Sequence, residues 1–66
     1  MDNLKAKREE RVTLEDAYAL LANKSKDKAL SAEEVKSLDT LDKQIATLDS
    51  EIEILERAEK RASEIV

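Results

Sequence analysis

From Leu38 onward the apolar residues return at alternating steps of three and four: Leu38, Leu41, Ile45, Leu48, Ile52 and Leu55. A step pattern averaging three and a half places all six on one helical stripe, the seam along which a second helix packs. The stripe meets Glu59 and resumes at Ala62 and Val66, which predicts one helix over about 32–65. Its start is signalled locally. In LSAEEV, Ser31 can accept from the free amides of a new first turn while Glu34 reaches back to the Ser31 amide, a capping box. Leu30 and Val35 flank that box as a hydrophobic staple.

A weaker pattern precedes it. Leu14, Tyr18 and Leu21 share one face, and upstream the same stripe runs through Arg11 and Lys7 to Leu4, with Val12 beside it. This predicts a first helix over about 3–23, capped by Asp2 or Asn3. The polar stretch NKSKDKA then reads as a loop over about 24–31. With no glycine in the chain, the first helix must end on Asn23 or by fraying. A short loop between two helices makes them antiparallel neighbours. The fold expected is all-α, a helical hairpin with a short first helix, a long second helix and a coiled-coil-like seam.

Folding about Asp27 and Lys28 sets Leu21 near Val35, Tyr18 near Leu38 and Leu14 near Leu41, then Val12 near Ile45 and Leu4 near Ile52. With Leu48 these residues form the expected hairpin core. Lys7, Arg8 and Arg11 come close to Asp49, Glu51 and Glu53. Along the second helix itself, Asp39 to Lys43, Glu53 to Arg57 and Glu56 to Lys60 place an acid four residues before a base, the favourable orientation. Past about Glu53 the second helix has no partner on the first, yet Ile54, Leu55, Ala58, Ala62 and Ile65 follow. These are the expected self-association residues, because a lone two-helix hairpin is marginal in water.

Composition narrows the function. Charged residues are 42% of the chain, and the net charge of −4 is uneven. Residues 1–30 carry seven bases against six acids; residues 31–66 carry five against ten. An acidic second half argues against nucleic acid or an anionic membrane as the main partner. The start of the chain lacks the basic and apolar run of a signal peptide. The longest apolar stretch, AYALLA, is six residues, far short of a membrane span. The ending SEIV sets an acid and two β-branched residues against the helix dipole, so it reads as a cut from a longer chain.

Without cysteine or histidine there is no thiol, no imidazole and no common zinc set, and without glycine no phosphate-cradling loop. Glu51 with Glu53, and Asp39 with Asp42, read as solvated helix faces. The expectation is a protein with no catalytic residues, cofactor or metal. In KAKREER the basic residues are interrupted by Glu9 and Glu10 and lack interleaved aromatics, so they are expected to pair across the hairpin. Tyr18, the one aromatic residue, is expected in the core with its hydroxyl at the edge.

The order of these features resembles the N-terminal segment of tailed-phage major capsid proteins of the Hong Kong type. Leu4 with Arg8, Glu9, Glu10 and Arg11 matches the family's opening; Leu30, Ala32, Glu33 and Glu34 match its second helix start. Leu38, Asp39, Leu41, Ile45, Leu48, Ile52 and Leu55 follow its spacing. The chain departs from it at Asp27 and Lys28, where many members have glycine, and at Leu38, often phenylalanine. The resemblance implies a scaffolding segment, the delta domain, fused ahead of the capsid shell domain. Such a segment acts in the host cytoplasm and inside the procapsid, where it gathers capsid subunits and in many members is removed by a phage maturation protease. The alternative is a helical-hairpin arm of another protein that binds protein or RNA.

Overall fold

The computed structural model describes residues 3–65. It is an all-α hairpin of two helices, α1 (Asn3–Lys24) and α2 (Ala32–Glu64). The expected boundaries hold to within one residue. Asn3 is already helical; Asp2 as a cap and Val66 as the end of the seam lie outside the described residues.

Both ends of the connection have a local cause. α1 has no left-handed residue to stop it, since no described residue has positive φ. It tightens instead: Lys26 N–H donates to Asn23 O at 3.2 Å and Asp27 N–H to Lys24 O at 3.1 Å, both three residues back. The Ser25 hydroxyl donates to Ala22 O, occupying another terminal carbonyl. α2 opens on the full capping box: Glu34 N–H donates to Ser31 Oγ at 3.1 Å and Ser31 N–H to Glu34 Oε1 at 3.0 Å. Ser31 is extended, at φ −68° and ψ 164°, as an N-cap must be.

The turn extends the curl of α1 through Lys28, whose N–H donates to Lys24 O at 3.1 Å. Ion pairs tie the two helices together. Lys24 meets Glu34, Lys7 Nζ lies 2.9 Å from Glu51 Oε2, and Arg11 Nε lies 2.7 Å from Asp49 Oδ1. Along the hairpin, Leu14 lines a groove with Thr40, Gln44 and Leu48.

The molecule is a rod of 56 × 18 × 15 Å. Its radius of gyration, 15.9 Å, exceeds the ~11 Å of a compact chain this long. Only Leu4, Leu48 and Ile52 are buried among the described residues, and full burial of such side chains contributes about 1.5–3 kcal/mol each. Leu14, Tyr18, Leu21, Leu38, Leu41 and Ile45 are half-buried along the seam. Two expectations fail. Val35, placed in the core by its spacing, and Val12, placed beside Ile45, are each 55% exposed. Val35 lies about a quarter-turn off the line of Leu38, Leu41 and Ile45, because its spacing served the cap and not the seam.

Candidate functional site

The cover that α1 provides ends at its own first turn. Asn3 and Lys7 line a shallow groove with Glu51, Ile54 and Leu55, and Arg8 Nη2 reaches Glu56 Oε2 at 2.9 Å. That extends the covered stretch two or three residues beyond the Glu53 limit expected from the pattern. Leu55 is accordingly half-buried, shared between the hairpin and the free end. The remaining expected association residues are exposed: Ile54 at 58%, Ile65 at 74%, and both Ala58 and Ala62. Ile54, Ala58 and Ile65 share a stripe about a third of a turn around α2 from the main seam.

The charges around this end are organised by the hairpin. Lys7, Arg8 and Arg11 are held by Glu51, Glu56 and Asp49 respectively. The sequence anticipated these bases and the acidic side they meet, but not Glu56 as the partner of Arg8. Long side chains reach across more than one turn, so helix spacing alone does not choose between neighbouring acids. Arg11 Nε is shielded from solvent and close to Asp49, yet its N–H is not aligned on the carboxylate; the contact is an ion pair without a directed hydrogen bond.

At the other end, the Lys24 ammonium against Glu34 and the Ser31 amide donating to it hold the Glu34 carboxyl below its ordinary 4.5. Sequence reading found Glu34 as a capping residue and missed Lys24 as its partner, because that pair depends on how the turn brings the end of α1 against the start of α2.

Total accessible surface is 5390 Å², against about 4,200 Å² for a compact monomer of 7.4 kDa. The excess lies in the rod shape and its uncovered end. Among the described residues, no group of three or more acidic, cysteine or histidine side chains is placed to hold a metal ion. No helix of the described residues is long and apolar enough to cross a membrane. No family model, curated protein or solved structure matches the chain.

Proposed function

We propose that the hairpin is an assembly segment that brings copies of its own chain together through the uncovered end of α2. The observation that carries this is the pair of large aliphatic side chains exposed on one stripe of α2, Ile54 at the edge of the cover of α1 and Ile65 beyond it. Water favours covering such a stripe, and α1 supplies no residue to do it. The bases of KAKREER support assembly over an RNA-binding arm, because Lys7, Arg8 and Arg11 already have carboxylate partners within the hairpin. Phosphate binding would have to displace those pairs.

With the resemblance of its motifs, this reading becomes the scaffolding segment of a phage major capsid protein, associating with capsid subunits before the shell matures. Two experiments separate the levels. Sedimentation velocity over a range of concentrations tests association; a helical monomer throughout would end the assembly reading. Sequencing the gene beyond the Val66 codon tests the capsid assignment. A continuing frame encoding a mixed α and β domain of shell size supports it, whereas a stop codon or an enzyme domain removes it and leaves a self-associating hairpin.

A further inference from the structure

The exposed stripe at the end of α2 is the last part of a longer one. Ser37, Thr40, Gln44, Thr47, Glu51, Ile54, Ala58, Arg61 and Ile65 recur at alternating steps of three and four along the whole helix. α2 thus carries two heptad seams. The first is spent on α1. In its last half the second keeps Thr47, Ile54, Ala58 and Ile65 uncharged, with Glu51 and Arg61 as its two charged members.

We infer that a second copy of this chain lies antiparallel along this second seam, related by a two-fold axis level with Glu56. The inference rests on the assembly reading above and adds its geometry. Antiparallel helices place each seam residue against one of the opposite heptad position. With the axis at Glu56, Ile54 faces Ala58 of the second copy and Ala58 faces its Ile54, large against small on both sides. Thr47 faces Ile65. Its hydroxyl already donates to Lys43 O at 3.0 Å, so no polar group is left unmatched by that contact.

The two charged members of this half of the seam decide the orientation. In the antiparallel register Glu51 falls opposite Arg61, twice by symmetry. Glu51 Oε2 is held by Lys7 at 2.9 Å but its side chain remains 43% accessible, so one carboxylate can serve both bases. A parallel, in-register pair would set Glu51 on Glu51 and Arg61 on Arg61 inside the contact, which costs affinity. Arg57 meets its symmetry mate near the axis, where Glu53, 3.8 Å from it within each copy, offsets the like charges. The overlap from Thr47 to Ile65 is about 28 Å long.

Charge exchange in the full 66-residue chain tests the register. Glu51→Arg and Arg61→Glu should each weaken dimerisation about tenfold by sedimentation equilibrium, and the double variant should recover most of the loss. Arg61 lies past the cover of α1, so Arg61→Glu keeps the hairpin folded even where Glu51→Arg, by losing Lys7, does not. An independent readout uses the absence of native cysteine: Asp27→Cys labelled with donor and acceptor dyes marks the loop. The antiparallel pair holds the two loops about 80 Å apart, giving little energy transfer, while a parallel pair brings them within about 30 Å. A dimer with strong transfer, or one indifferent to the charge exchanges, overturns the antiparallel register and leaves the assembly reading standing. A monomer at every concentration overturns both.

Discussion

The two parts of α2 on either side of Glu56 obey the same helical periodicity and end in different environments. Before it, the seam positions Leu38, Leu41, Ile45, Leu48 and Ile52 are all large, and α1 leaves Leu48 and Ile52 buried. After it, the seam carries Glu59 and Ala62, and the large side chains move onto the flank, at Ile54 just before and Ile65 at the end. The difference teaches that a helix can change the direction it faces without changing its geometry. Where α1 runs out, the large apolar side chains leave the seam and stay exposed.

The largest expected effect falls on the covered part. Ile52→Ala removes buried methylenes at the one place where the hairpin is sealed, and should lower stability by about 2–5 kcal/mol, read as a loss of helical circular dichroism at a lower temperature. A change below about 0.5 kcal/mol would mean that Ile52 is not core.

Next comes the uncovered part. Ile54→Asp should shift the sedimentation profile toward monomer while leaving the thermal midpoint of a dilute sample nearly unchanged. Leu55→Asp, at the border, should weaken association and cost some hairpin stability, and Leu41→Asp should damage both severely. Equal losses of helicity for Ile54→Asp and Leu41→Asp would erase the distinction between the two parts.

A smaller effect belongs to the start of α2. Ser31→Ala removes the acceptor for Glu34 N–H and should cost about 1 kcal/mol in a urea or thermal titration, without changing association at concentrations where the hairpin is folded.

The smallest is the acid response of the loop end. Lys24 and Ser31 hold the Glu34 carboxyl below 4.5, so the folded state binds its proton less readily than the unfolded chain. Its stabilising contribution is complete above about 4.5 and fades as pH falls through the lowered folded value. Lys24→Met should raise the Glu34 titration toward 4.5, followed by carboxyl chemical shifts, and flatten that part of the acid loss. No movement of the Glu34 titration would mean that the ion pair does not form in solution.

Much of this was legible in one dimension because helices repeat. Three-four spacing exposed both helices, and LSAEEV located the start of α2 to the residue, since a capping box is made within four residues and needs nothing distant. Leu4, Leu48 and Ile52 stood on the predicted stripes, while Val12 and Val35 were misplaced. Both lie off the stripe by a fraction of a turn, and apolar character alone does not say which flank is covered. The pairs Lys24–Glu34 and Arg8–Glu56 were also missed, because each depends on where the loop reverses the chain.

By itself, then, the sequence determined what depends on neighbours within a turn or two: two helices, their lengths, the cap, the seam and the acidic character of α2. Only the tertiary structure decided the register between the helices, the three side chains that are sealed and the point where cover ends. The physical reason is range. Helical hydrogen bonds and caps close within four residues, whereas the register is the joint outcome of a glycine-free turn that tightens through Lys28 and of ion pairs between residues as far apart as Arg8 and Glu56. How much of α2 remains uncovered follows from where the start of α1 meets it, at Leu55 and Glu56.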